Sequence, residues 1–233
     1  MAKSITSTFT KLQNASKLSA SESEWGNERS LQKAAKRLLD LAVSVAFLAL
    51  FLPLFCGFSA ILLVVQGRPI LFRHTRIGRG GRTFKCFKFR TMVNNAGRVL
   101  EDHLAANPAA RLEWETTQKL KNDPRVTALG QVMRKLSIDE LPQILNVIRG
   151  EMSLVGPRPI VSAETRFYGH HLADYQSVRP GITGLWQVSG RSNVSYGYRV
   201  ELDVEYVRNW SLIRDLVILV RTIPAVLTAD GSC

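Results

Sequence analysis

Residues 41–65 read LAVSVAFLALFLPLFCGFSAILLVV, 25 residues without a charge and with Pro53 at their centre. The run is long enough to cross a bilayer, whose hydrocarbon core takes about 20 apolar residues as a helix. Pro53 divides it into two arms of 12 residues, each only about 18 Å long, so neither arm alone reaches across. Lys33, Lys36 and Arg37 precede the run, and Arg68, Arg73, Arg76, Arg79 and Arg82 follow it. Cytoplasmic flanks collect Lys and Arg, so positive charge at both ends places both ends on the cytoplasmic side. A helix that enters, breaks at Pro53 and returns to the same face meets these terms best. Proline supplies the break by removing an N–H and crowding the preceding turn. A kinked single span and a buried soluble helix are the other two readings. The balance is for a chain held in a membrane.

A cleaved signal peptide does not fit, because about 40 mostly polar residues come first and the apolar run exceeds a 7–15-residue core. Cys56 follows Leu54 and Phe55, which suit no lipoprotein site, and reads as a small core residue. Cys56, Cys86 and Cys233 are scattered and odd in number, which fits a reducing compartment and no disulfide framework.

The chain has 233 residues and a net charge of +12. Without tail and anchor, about 160 residues remain, enough for one buried domain. The charge calls for an acidic partner: nucleic acid, anionic lipid or a phosphorylated small molecule. Residues 1–30 are polar and aperiodic and read as a disordered tail; 31–68 read as the re-entrant membrane helix and 69–229 as the domain that would carry any chemistry. ILFRHTRI and TFKCFKFRTM flank the turn Gly78-Arg79-Gly80-Gly81-Arg82 and predict a β-hairpin. Phe84, Phe87 and Phe89 beside Lys85, Lys88 and Arg90 resemble a nucleic-acid strand, but such aromatics more often fill a core, and no nucleic-acid partner is expected. Residues 94–122 predict two helices divided at Asn107-Pro108. A helix with Leu129, Val132, Met133 and Leu136 on one face follows. LPQILNVIRG predicts an amphipathic helix closed by Gly150. Residues 151–196 read as ordered loops, and about 199–228 as two helices. The second of these, strongly apolar, reads as a core helix or as one lying on the membrane surface, and would serve a homodimer as easily as the membrane.

The chemistry centres on Ser137-Ile138-Asp139-Glu140-Leu141-Pro142. Acids at a helix start complement the dipole, and Ser-x-x-Glu is a capping box, so a purely structural reading is open. The surroundings point elsewhere. Arg134-Lys135 precede the pair, and Gly156-Pro157-Arg158-Pro159 follows, where two prolines stiffen the backbone around one guanidinium, a bidentate reader of phosphate. Two carboxylates among phosphate-binding groups make sense if Mg²⁺ joins them, since it takes one or two carboxylates plus phosphate oxygens. One carboxylate would then attack phosphorus while its neighbour handles a proton. Trp186 reads as a uracil platform or as a core or interface residue. Asp203 and Asp215 read as carboxylates that support an arginine instead of a metal, and the four histidines as surface residues.

The segments KFRTM (88–92), SIDELPQILNVIRGEMSLVGPRP (137–159), RPGITGLWQVSGR (179–191) and ELDVEYVRNWSLIRDL (201–216) resemble the bacterial sugar transferase family, the monotopic phosphoglycosyl transferases, over about residues 31–229. The chain resembles the short form that starts exopolysaccharide or glycan assembly. The resemblance implies a helix-rich mixed α/β protein: a monotopic membrane protein with a proline-broken re-entrant helix and a compact cytosolic catalytic domain bearing interfacial amphipathic helices. It implies ping-pong transfer of sugar 1-phosphate from a UDP-sugar, glucose or galactose, to polyprenyl phosphate, with release of UMP, on the cytoplasmic face of the bacterial inner membrane. Asp139 would be nucleophile and Mg²⁺ ligand, and Glu140 would assist proton transfer. Arg134 and Arg158 match phosphate-binding positions; Lys88, Arg90 and Arg191 match further basic positions for phosphate or substrate. The alternative is a membrane-tethered basic binding module without catalysis.

Overall fold

The computed structural model describes the backbone of residues 2–117, 120–190 and 195–227, and side chains over 30–115, 120–190 and 195–225. Helix α1, Ala2–Gln66, contains the apolar run; its backbone is helical back through the polar segment read as a tail. The helix also continues through Pro53, where the missing N–H leaves the carbonyl of Ala49 without its helical partner. Its Ser30–Gln66 stretch is long and apolar enough to cross a membrane, and hardly any of its most apolar window is buried. These features are those of a membrane-associated protein.

Two separate stripes of α1 dock on the domain that follows. At and just before the first arm Asp40 and Ser44 are buried, and Phe47 and Leu48 pack on the main core. The Arg37 guanidinium donates to the carbonyls of Val147 and Ile148 at 2.7 and 3.0 Å. In the second arm Leu62 is buried with Phe89 and Met133, joined by Phe55 and Phe58. The i, i+3, i+4 spacing in each arm is that of one helix face. Residues 49–54 around Pro53 are all exposed. Cys56 is exposed, not a core residue, because it lies off the docked stripe of Phe55, Phe58 and Leu62.

Strands β1 (Leu71–Ile77) and β2 (Thr83–Phe89) form the expected antiparallel hairpin, with His74 opposite Cys86 and Arg76 opposite Phe84. Phe84, Phe87 and Phe89 are buried, as the core reading of that strand requires. Helices α2 (Ala96–Ala106) and α3 (Pro108–Thr117) divide at Asn107. Helix α4 (Ala128–Lys135) is capped by Thr127, whose Oγ1 accepts from the Gly130 amide; Met133 is buried, but Val132 and Leu136 are half exposed, so the expected four-residue face is split. The chain then enters a 3₁₀ turn, Ile138–Gln143, before α5 (Ile144–Arg149), which Gly150 closes at φ +80°. Helix α5 is thus shorter than the pattern predicts and buries Ile144, Asn146 and Val147.

The segment read as ordered loops contains two three-residue parallel strands, β3 (Ser153–Val155) and β4 (Gly181–Thr183), and helices α6 (Thr165–Tyr168) and α7 (Leu172–Ser177). Their loops touch backbone to backbone: a Cβ on Gly156 would stand 2.5 Å from the Arg179 carbonyl, and one on Gly184 would stand 2.3 Å from that of Gly156. Only glycine permits that approach. Helices α8 (Tyr196–Arg208) and α9 (Leu212–Leu227) complete the fold. Helix α9 exposes Ile213, Leu216, Val217, Val220 and Ile223, an apolar stripe at helical spacing.

Candidate active site

In β2 the side chains at 84, 86 and 88 share one face, since alternate residues point the same way. Their partners across the hairpin, Arg76, His74 and Phe72, share it too. Lys88 and Arg76 thereby face one cleft, lined also by Cys86, Glu140, Gln143, Arg158, Pro159, Ile182 and Gln187, with about 270 Å³ of empty space open to solvent.

The acidic pair reaches Lys88 through an unusual turn. Ser137 adopts φ 56°, ψ 19° and makes no side-chain cap; this left-handed backbone is uncommon for a residue other than glycine. The capping box readable in Ser137–Glu140 is therefore not formed. The Glu140 carboxylate instead accepts a hydrogen bond from Lys88 Nζ at 2.6 Å, and the same ammonium lies 3.6 Å from Asp139 Oδ2. A cation on a neighbouring strand holds the carboxylate more strongly than an N-cap amide would.

Electrostatics separate the two acids. Burial pushes the Asp139 carboxyl up, with Glu140 adding to the rise and Lys88 and Arg134 opposing it. Burial also raises Glu140, but Lys88, Arg158 and Arg76 outweigh it and hold that carboxyl at about 2. Adjacent carboxyls pushed apart in this way suit different roles in acid–base and nucleophilic chemistry. Arg76 is pushed down, by burial first and by Arg158 second. It is fixed by donation to the Pro159 carbonyl at 3.0 Å and by Glu164 at 3.5 Å. Arg158 is exposed; its guanidinium lies 5.7 Å from the centre of the Trp186 ring.

Asp139, Glu140, Lys88 and Arg158 are therefore brought together. Arg134 lies within charge range of Asp139 and donates to Thr91 Oγ1 at 3.0 Å. Arg90 is placed elsewhere: it is buried, and its guanidinium donates to the Gln66 and Gly67 carbonyls and to Asn94. Arg90 lies just past the end of β2 at Phe89, so strand alternation no longer sets its direction and it turns toward the end of α1. Arg191 lies outside the described residues. Arg76, Gln143 and Gln187 line the cleft without having been singled out as site residues in the sequence; counting the hairpin register outward from its glycine turn would have put Arg76 on the face of Lys88. Neither Asp203 nor Asp215 supports an arginine by hydrogen bond among the described residues. Asp203 accepts from the Tyr168 hydroxyl at 2.7 Å, and Asp215 from Lys36, Tyr206 and Trp210. Trp186 is buried in the main core, which removes the uracil-platform reading.

Residues 31–229 match the family model described as bacterial sugar transferase. The chain is 53% identical over 210 residues to the exopolysaccharide production protein ExoY of Rhizobium meliloti, covering 90% of this chain and 92% of that one. It is 49% identical over 197 residues to the undecaprenyl-phosphate galactose phosphotransferase of Salmonella typhimurium, covering 84% of this chain and 41% of that longer protein. To the UDP-glucose:undecaprenyl-phosphate glucose-1-phosphate transferase of Caulobacter vibrioides it is 40% identical, covering 84% of this chain and 71% of the relative.

Proposed function

The chain belongs to the bacterial sugar transferase family, and on that premise we propose that it transfers sugar 1-phosphate from a UDP-hexose, glucose or galactose, to a polyprenyl phosphate. The observation that carries the reading is the acidic pair held against Lys88 at the edge of a cleft that also presents Arg76 and Arg158. Relatives bearing the two undecaprenyl-phosphate names above support the substrate class.

The Asp139 carboxylate attacks the sugar-bearing phosphorus of the donor. The bond to the bridging oxygen breaks and UMP leaves, carrying that oxygen. A phosphate oxygen of the polyprenyl acceptor then attacks the same phosphorus, releasing Asp139 and giving polyprenyl-diphosphate-sugar. Partial desolvation keeps the Asp139 carboxylate weakly solvated and nucleophilic. Glu140 assists proton transfer from an incoming acceptor phosphate once substrate phosphate draws Lys88, Arg158 and Arg76 away from it, because those cations otherwise hold its carboxyl too low to act as a base. Arg158 and Arg76 neutralise the phosphoryl oxygens. No group of three or more His, Cys, Asp or Glu able to hold a metal occurs among the described residues. Two carboxylates beside a phosphate cleft nevertheless fit Mg²⁺ in its usual mode, completed by substrate oxygens and water. Asp139 would hold it, and it would neutralise charge on the donor diphosphate.

The membrane reading has its own support. Both arms of α1 dock on one domain while residues 49–54 around Pro53 stay exposed. A helix that dips into one leaflet and returns, with α9 lying on the surface, would bury these apolar stripes and keep the cleft at the cytoplasmic face of the inner membrane.

The test is the covalent step. Protein in lipid discs is given UDP-glucose or UDP-galactose carrying ³²P in the β-phosphate. Mg²⁺-dependent labelling of the protein without acceptor, lost in Asp139→Asn, is expected, together with UMP release. Folded protein that yields neither label nor polyprenyl-linked product overturns the reading.

A further inference from the structure

Arg158 is the most exposed cation of the cleft and makes no hydrogen bond or ion pair among the described residues. Free guanidinium donors are what a phosphate-binding group needs, but a long unpaired side chain also samples many rotamers, and ordering it costs binding free energy. Two features limit that freedom. Pro157 and Pro159 restrict its backbone, and its guanidinium carbon stands 5.7 Å from the centre of the Trp186 ring. The ring is buried and held in the main core with Val155, Leu185 and Tyr206. A second guanidinium, that of Arg199 on α8, lies 4.8 Å from the same ring centre. The three-residue turn Trp186–Val188 that carries the ring follows Gly184, which packs directly on the Gly156 carbonyl just before Arg158. The ring and the arginine are thus fixed to one another through the backbone as well as through the contact.

We infer that Trp186 is a positioning residue: its ring face holds the Arg158 guanidinium over the cleft, aimed at the diphosphate of the donor, without using any of the donors that arginine needs for phosphate. A hydrogen-bonding partner would tie up those donors; an aromatic face attracts the cation and leaves its edge free. The inference rests on the nucleotide-sugar reading given above.

The experiment is a double-mutant cycle on full-length protein in lipid discs, reading donor KM, kcat, UMP affinity by calorimetry and melting temperature. Trp186→Leu is expected to raise donor KM and weaken UMP binding about fivefold, with kcat within twofold. Trp186→Phe, which keeps a ring face, is expected to stay within twofold of the parent. In an Arg158→Ala background, Trp186→Leu should change KM and UMP affinity less than twofold. Its effect on melting temperature should be the same in both backgrounds. If Trp186→Leu does not fold, Trp186→Met takes its place in the cycle. Equal losses of KM and UMP affinity with and without Arg158, or no recovery in Trp186→Phe, overturn the positioning role. A parent protein that neither binds UMP nor consumes any UDP-hexose overturns the nucleotide-sugar reading itself, and the inference falls with it.

Discussion

The ammonium of Lys88 lies 2.6 Å from Oε1 of Glu140 and 3.6 Å from Oδ2 of Asp139, so one cation faces both acids. Lys88 is the largest favourable influence on either carboxyl. Replacing it with methionine removes that pull, and both carboxyls move up. Glu140, depressed to about 2, is ionised across the working range in the parent. In Lys88→Met the acidic limb of kcat/KM against pH is expected to move to higher pH, and kcat/KM at pH 7 to fall on the order of 10²-fold. A pH profile with UDP-hexose and polyprenyl phosphate reads both. An unmoved acidic limb would mean that Lys88 serves substrate alone.

Asp203 is buried, with Tyr168 bonded to Oδ2 and no partner for Oδ1 among the described residues. Burial pushes its carboxyl up to about 7, against the Tyr168 hydrogen bond and the charge of Arg158, which pull it down. The unfolded chain releases the same proton at about pH 3.9. Between those values the folded protein holds the proton that the unfolded one has lost, so stability is fullest at the acid end and falls as pH rises through about 4 to 7. Melting temperature is expected to drop from pH 5 to pH 7.5 and then level. Asp203→Asn, which keeps an acceptor for Tyr168, is expected to flatten that slope. The same slope in the variant would assign it to other groups.

The hairpin was legible because its alternation has period 2 and glycines mark the turn; the Asn107-Pro108 division was legible because proline cannot continue a helix. The acidic pair was found from its composition, but its geometry was not. Ser137 to Glu140 is a sound local capping box, and what dissolves it is a lysine 52 residues from Glu140, which no local window contains. Strands β3 and β4 were missed because three residues are too few to show a period. Arg90 and Lys88 are two residues apart in one motif, yet one clamps the end of α1 and the other meets the acids. Alternation would put them on the same face; leaving the strand at Phe89 breaks that rule.

Arg90 therefore carries a prediction opposite to the one its motif suggests. Its guanidinium satisfies the Gln66 and Gly67 carbonyls where α1 ends, and Arg90→Ala leaves both without that donor. A loss of about 2–4 kcal/mol is expected, with donor KM in the surviving folded fraction within about twofold of the parent. Chemical denaturation and initial rates, taken together, separate the two effects. A large rise in KM at unchanged stability would return Arg90 to the substrate site.

Lys36 and Asp215 tie the membrane helix to the C-terminal helix at 2.5 Å, in a buried knot with the Tyr206 hydroxyl and Trp210 Nε1. Lys36 also donates to the Val155 carbonyl at 3.0 Å, and Val155 lies three residues before Arg158. The knot thus connects the anchor to the strand that delivers a cleft residue. Removing one partner leaves a buried charge uncompensated, whereas removing both does not. Asp215→Leu alone is expected to cost about 3–5 kcal/mol, and Lys36→Met/Asp215→Leu less than half of that. If the pair also sets the position of the Arg158 loop, the double variant keeps a raised donor KM after its stability has recovered. A double-mutant cycle in melting temperature, with KM measured on the same four proteins, reads stability and loop position independently. A double variant as unstable as Asp215→Leu would show that Asp215 acts through Tyr206 and Trp210 rather than through the anchor.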